Sequence, residues 1–312
     1  MQSPLQSPLQ PVMRSPLEFR RRGGGSFDIA STNPSAYYDR TNLATLFQYS
    51  AGTTPVTAAG QPIGLGLDQS QGLALGPELV VNGDFSGGLT GWNYAAGTTV
   101  VAGQARIVGI HAAGIGTGNN SLTPSPDFSI VGKFYQMEFD ATYISGGFNI
   151  QAGSQYSPVL VITPAANGGV KTRYSLLAIT PFGKTPSIGI TGVGGAWDID
   201  NISVKLLAGN HQSQATAGKR PVTAGSPIYA NFDAVDDDLV ATFPASLGSG
   251  CTVCRSLPGT GASITTGVTL TATYTDNVDA HALLIYTSAQ WAALNAGQIA
   301  NITTWLNGRA GL

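Results

Sequence analysis

A chain of 312 residues has room for about two domains, each with its own core. Only 10% of it is charged and the formal net charge is −2, so it lacks the basic face with which nucleic-acid binders neutralise phosphates. A single C-x-x-C (Cys251, Cys254) with scattered His111, His211 and His281 supplies no tetrahedral zinc set. The two thiols read as reduced, half-buried strand residues. Abundant Gly (41) with Thr and Val points to an all-β protein, and so little charge suits a subunit whose surface is partly covered in an assembly. No apolar run approaches the ~18–20 residues that span a bilayer. The opening SPLQSPLQPV lacks the apolar centre of a secretory signal, so the expected location is a particle assembled in the cytoplasm.

Residues 1–26 repeat Ser-Pro-Leu. Each proline fixes φ and biases the serine before it away from helix, so the segment should be an extended arm. Leu5, Leu9 and Leu17 recur as apolar pegs for anchoring on a partner. Arg20–Arg22 read as a solvated or interface-bound basic turn, and Gly23–Gly25 as a hinge. In residues 27–75, Ser35–Tyr38 leads into a short helical turn capped by Asp39 or Thr41, followed by a turn and short strand at Gly52–Val56 and an alternating Gln61–Asp68. They are too few for a core of their own.

Residues 76–207 alternate as a sandwich should. Leu79–Val81 opens it and Asn82-Gly83-Asp84 turns, with Phe85 and Trp92 as core plugs. Met137, Phe139, Ala141 and Tyr143 alternate with Glu138, Asp140 and Thr142, a strand with one wet face. About eight antiparallel strands, ending on Trp197–Leu206, predict a two-sheet jelly roll. Residues 208–312 carry strands near Ile228–Asp233, Thr252–Ser256, Val268–Thr275 and His281–Tyr286. A short C-terminal helix follows, capped by Ser288 and stopping at Gly308.

The pair VNGDFSGGLTGW (81–92) and WDIDNISVKL (197–206) resembles the two ends of carbohydrate-binding modules of the family 4/9 type, where an N-G-D-F-E-x-G-x-x-x-W opening lies beside a D-N-V/I-x-V closing strand. Ser86 stands where that pattern has Glu. The resemblance implies a structural Ca²⁺ at Asp84 with Asp198 or Asp200, which paired edge strands would bring together; the alternative is that Asp84 caps its turn. No other cofactor is implied. The flanks, AYYDRTNLATLFQYSAGTTPVTAAGQPIGLGLDQS (36–70), GNHQSQATAGKRPV (209–222) and YANFDAVDDDLV (229–240), resemble modules of tailed-bacteriophage virion proteins in which the first two strings run nearly continuously in a concanavalin-like (laminin-G-like) sandwich. The expected fold is therefore all-β with two β-sandwiches: a jelly roll (76–207) inserted into a discontinuous concanavalin-like sandwich (27–75 with 208–312), plus an extended N-terminal arm.

The expected function follows from that resemblance: a non-enzymatic virion component of the tail tip, baseplate or fibre, docked by its arm to other virion proteins. Further copies of the chain in a homo-oligomer, with a trimer as in many fibres, and a host surface glycan are the further expected partners. A capsid-associated or decoration protein without ligand and an accessory module of a polysaccharide-degrading enzyme are the alternatives. Tyr143, Tyr156 and Tyr174, near loop boundaries, are the candidate sugar platforms. Glu138 and Asp140 lie about 7 Å apart on one strand face, a spacing too common to carry glycoside hydrolysis. Asp236–Asp238 form a solvated acidic turn or a weak Ca²⁺ loop. No G-x-S-x-G or P-loop is present, so no enzyme is expected.

Overall fold

The computed structural model describes residues 27–52, 54–109, 121–130, 133–147, 149–154, 157–179, 186–190 and 194–312. The Ser-Pro-Leu arm with Leu5, Leu9 and Leu17 lies outside the described residues, as do His111 and Tyr156. The protein is all-β, with sheets packed in sandwiches and helix confined to short pieces.

Three strands precede position 67: β1 (Ala36–Asp39), β2 (Leu46–Phe47) and β3 (Leu65–Gly66). Eleven more follow up to position 207: β4 (Leu75–Glu78), β5 (Trp92–Tyr94), β6 (Thr99–Val101), β7 (Gln104–Val108), β8 (Ser121–Pro124), β9 (Phe134–Ser145), β10 (Ile150–Ser154), β11 (Ser157–Ile162), β12 (Thr172–Ile179), β13 (Ser187–Ile190) and β14 (Ala196–Leu207), with a one-turn helix α1 (Pro164–Asn167) between β11 and β12. The rest of the chain holds β15 (Gln212–Ser213), β16 (Val222–Ala224), β17 (Tyr229–Asn231), β18 (Leu239–Thr242), β19 (Gly248–Leu257), β20 (Gly261–Leu270), β21 (Thr273–Asp276) and β22 (Ala282–Tyr286). Helices α2 (Ser288–Ala292) and α3 (Ala296–Arg309) close it.

The sheets divide by sequence. One sandwich is formed by the orders β12-β9-β14-β7-β6 and β11-β10-β13-β8-β5, with β4 added beside β14. A second is formed by β1-β22-β19-β20 and β2-β3-β15-β18-β21, each sheet mixing strands from before position 67 with strands after 211. The first is called the inner sandwich below and the second the outer.

The inner core follows from period-two alternation. Met137, Phe139 and Ala141 of β9 and Trp197, Ile199 and Val204 of β14 point inward against Ile150, Ala152, Ile188 and Ile190 of the facing sheet. The opening motif is a wound loop, not a strand. Asn82, at φ 58°, donates from Nδ2 to the Gly88 and Thr90 carbonyls and accepts from Gly87 N–H; the Trp92 indole donates to its carbonyl. Phe85 and Trp92 pack at 5.3 Å, both buried. A Cβ on Gly83 would sit 2.0 Å from the Ile202 carbonyl oxygen, so this position admits only glycine. The strand opening the inner sandwich is β4, with Leu75 opposite Leu207 and Glu78 opposite Lys205; of the expected Leu79–Val81, Leu79 N–H still bonds to the Val204 carbonyl at 3.0 Å.

In the outer sandwich, β22 (ALLIY) is buried along its whole length because its sheet is covered on both faces. Leu283 and Ile285 face Ala241, Phe243 and Tyr274 of the opposing sheet, whereas Leu284 and Tyr286 face Ile302 and Leu306 of α3. Cys251 and Cys254 are free thiols, fully rather than half buried, on alternate faces of β19. The helical end is two helices, not one. Thr287, not Ser288, caps α2 with Gln290, Asn295 caps α3 with Gln298, and α3 runs through Gly308 to Arg309. The expected single strand Val268–Thr275 breaks at Thr271–Ala272 into β20 and β21, which belong to different sheets. Asn42, not Asp39 or Thr41, precedes the short turn before β2; Asp39 pairs with Arg309 at 3.0 Å.

Arg40 is 1% exposed and is paired with Asp276, itself fully buried and also 3.4 Å from Arg255. Arg40 donates as well to Gln212 Oε1 at 3.1 Å, joining β1, β15 and β21. Removing one partner of such a pair strands a charge in a low-dielectric interior. Arg40→Ala is expected to lower unfolding free energy by about 3 kcal/mol in urea titration, more than an exposed pair such as Lys219–Asp236 would.

Candidate functional site

The outward face of the β12-β9-β14-β7 sheet carries a charged array. Register places Arg173 opposite Asp140 and Asp198 opposite Arg106. Arg106 grips Asp198 bidentately, at 2.7 and 2.8 Å. Those hydrogen bonds hold the guanidinium pKa above its ordinary value. Lys171 Nζ donates to Asp200 at 2.7 Å, which raises the ammonium pKa, and lies 3.6 Å from Asp140. Arg173 bridges Glu138 (2.9 Å) and Asp140 (3.3 Å), and Asn201 Nδ2 donates to Asp140 at 2.7 Å. Acids and bases alternate across four strands and satisfy one another.

This geometry corrects the Ca²⁺ expectation. Asp198 has both oxygens on a guanidinium, Asp200 is taken by Lys171 and the Asn201 N–H, and Asp84 accepts from Ser86 N–H and Oγ as a turn cap. The Ser86 backbone bond lowers the Asp84 pKa by stabilising its charged form. Both candidate partners of Asp84 thus face cations, and among the described residues the three carboxylates form no ligand cluster, so the residues present do not fit the metal. Glu138 and Asp140 share Arg173 instead of flanking an open cleft.

Of the predicted sugar platforms, Tyr143 and Tyr174 lie among the described residues, and both pack on the inner core. Tyr143 stands edge-on to Trp197 at 5.5 Å, and its hydroxyl donates to the Gly146 carbonyl. Tyr174 stacks on Phe139 at 5.6 Å, with Asn167 Nδ2 donating to its hydroxyl at 3.1 Å. Both rings are half-buried against the inner core.

The acidic turn gathers Asp233, Asp236 and Asp237, whose carboxylates lie within 4.8 Å of one another. Asp233 Oδ1 accepts the N–H groups of Val235, Asp236 and Asp237, which hold its pKa low. Lys219 lies 3.9 Å from Asp236, and Asp238 is turned away to Gln214. The loop is held by its own backbone and by that lysine.

Sequence reasoning passed over the place where the sandwiches meet. Phe47, Leu65, Leu67 and Leu73 pack against Phe134, Leu177 and Leu207. Asp68, fully buried, accepts from Tyr37 N–H (2.8 Å), Ser70 N–H (2.9 Å), Ser70 Oγ (3.0 Å) and Asn210 N–H (2.7 Å). Its own N–H donates to His211 Nδ1 at 2.9 Å, which puts the imidazole proton on Nε2. The ring stands perpendicular to Phe134 at 5.3 Å. The Leu207 carbonyl is near enough to favour the charged ring slightly but does not meet hydrogen-bond geometry with Nε2. The signal was present in the sequence as GLDQS and GNHQSQ, two polar strings among apolar neighbours.

No protein-family model matches the chain, and no curated protein matches it. Among solved structures it is similar to the N-terminal CBM22-1-CBM22-2 tandem domain from Paenibacillus barcinonensis Xyn10C. That similarity is 11% in identity, with a TM-score of 0.30, and covers 77% of this chain and 95% of that chain. A likeness of this size carries nothing about ligand or activity.

Burial pushes the His211 pKa down from 6.5 to about 4. As pH falls from 6.5 towards 4, the unfolded chain takes the proton before the folded one, so stability is lost across that window. The full loss is about 3 kcal/mol. Urea midpoints at pH 7 and pH 4.5 should differ by more in the natural chain than in His211→Gln, which has no proton to gain there.

Proposed function

We propose that this chain is a non-enzymatic structural component of a tailed-phage virion, of the tail tip, baseplate or fibre. In this reading the outer sandwich is the scaffold and the inner one is held out towards host-surface glycans. The observation that carries it is the Asp68–Asn210 junction. The two strings that resemble virion modules, 142 positions apart at Asp68 and Asn210, close there into one sheet through β3 and β15. The inner sandwich is thus tied to the scaffold at both of its chain ends.

The geometry supports display. Strand β14 runs 12 residues from the junction end at Leu207 to Ala196, about 36 Å at the usual strand rise. At its far end Val108 and Ser145 both pair with Ala196, and Gly109 exchanges backbone hydrogen bonds with Gly194 and Gly195. Val108, Ser145, Gly194 and Gly195 therefore come together at the end remote from the scaffold, and loops at such an end are where binding residues are commonly carried. The low charge of the whole chain fits a subunit covered by neighbours.

Two measurements test the reading. Mass spectrometry of purified particles should find the chain in stoichiometric ratio to other virion proteins; particles complete without it sink the virion assignment. A bacterial-glycan array probed with the full chain should give saturable signal. A blank array with the chain present in particles leaves a decoration protein without ligand.

A further inference from the structure

The outer sandwich leaves one long strand edge uncovered. Of the strands at the ends of its sheets, β1 is closed off: Gln69 N–H donates to the Tyr37 carbonyl and Tyr37 N–H to Asp68. Strand β2 bridges to Pro55, and β21 has four residues. Strand β20 has 10, GASITTGVTL, with neither charge nor proline, two common guards of an edge. Its guard is a bulge, where Thr265 and Val268 face Val253 and Cys251 and Gly267 takes φ 77°; Gly261–Thr265 before it pair regularly. The end strands of the inner sandwich are three residues long (β5, β6) or carry Pro158 (β11) or Arg173 (β12).

The free side of β20 has a defined pattern. Ala262 N–H donates to Asn307 Oδ1 at 2.7 Å and so points away from β19. Backbone groups alternate along a strand, so those of Ile264 point the same way, and among the described residues its N–H meets no acceptor. The side chains of Ala262 and Ile264 share the α3-covered face with Trp291, Leu294 and Trp305, all partly buried. Phe27, the first described residue, packs in the same cluster, so the N-terminal arm leaves from that face. The arm carries the complementary pattern in its sequence. Pro4 and Pro8 are four positions apart, so in an extended chain both lack their N–H on one edge, while Ser3, Leu5, Ser7 and Leu9 keep theirs on the other. The same parity puts the Leu5 and Leu9 side chains on one face. In a strand laid antiparallel on β20, with those N–H groups towards Ile264, it is the α3-covered face.

We propose that residues 3–9 of one copy of the chain add as a strand to the free edge of β20 in a second copy, with Leu5 and Leu9 seated beside Ile264. Pro4 and Pro8 then face outward and end the sheet. The length of the arm favours a second copy: residues 11–26 reach about 55 Å when extended, far more than a segment leaving beside its own β20 needs. The proposal rests on the reading of the chain as a subunit of an assembly and names one contact within it.

The test is sedimentation velocity on the full chain, with the register of the prolines as the variable. The natural chain should associate between about 1 and 100 µM, and removal of residues 1–10 should leave monomers with an unchanged thermal melt. Ser7→Pro, which removes an inward N–H, should weaken association at least about tenfold, whereas Gln6→Pro, on the outward edge, should leave it within about twofold. Ser7→Cys copies mixed with Thr266→Cys copies should give a mixed disulfide dimer on oxidation, since Cys251 and Cys254 are buried. Monomers of the natural chain up to about 100 µM, association that survives loss of residues 1–10, or equal effects of the two prolines overturns the proposal. A disulfide that forms only within a chain carrying both cysteines places the arm on its own edge and overturns it as well. Particle composition decides the virion reading separately: the chain found in particles without this contact leaves that reading standing.

Discussion

The buried carboxylate of Asp68 is the constraint on which the two-sandwich arrangement rests. It takes hydrogen bonds from three separate stretches, at Tyr37, Ser70 and Asn210, and its own amide holds the His211 ring. A buried charge without partners would be costly, and desolvation does raise the Asp68 pKa. Its position is therefore fixed only when all three stretches are in place. Departure from the outer sandwich and return to it are thereby pinned at one point. The apolar plug of Leu65, Leu67, Phe134 and Leu207 packs beside that point and holds the two sandwiches against each other.

The inner sandwich answers to a different logic. Its hallmark motif is spent on closure: Asn82 winds the loop, Gly83 lets the backbone touch Ile202, and Phe85 and Trp92 fill the core. The outward sheet face is a self-satisfied lattice of Arg106, Lys171 and Arg173 with Glu138, Asp140, Asp198 and Asp200. A ligand competing for those groups would have to break existing ion pairs.

Much of the architecture could be read from pattern. The alternation Met137, Phe139, Ala141, Tyr143 gave strand β9 with its faces correctly assigned, and the strand expected at His281–Tyr286 is β22, though its cover on both sides was not foreseen. Strands of two or three residues, such as β15 and β16, are too short for any period to register. Strand β8, SLTP, carries a proline and two hydroxyl residues and has no strand signature. The break at Thr271–Ala272 was hidden because both neighbours favour strands; only the need for β20 and β21 to join different sheets imposes it. The site was less legible for a related reason. The resemblance offered Asp198 and Asp200 as metal ligands, but whether a carboxylate meets an ion or an arginine depends on cross-strand register, and Arg106 lies 92 positions away.

The pairing of β1 with β22, Ala36 opposite Ile285, bears on how the chain acquires its shape during synthesis. The first strand has no partner until nearly the whole chain has left the ribosome, whereas the inner sandwich is complete long before. Once folded, that sandwich holds Leu75 opposite Leu207. It thereby turns a very long loop into a short rigid one, removing about 2 kcal/mol of closure entropy from the outer sheet. The inserted module acts as a folding jig for the scaffold that carries it: as long as it is unfolded, β1 waits for β22 and β3 for β15 across a long loop.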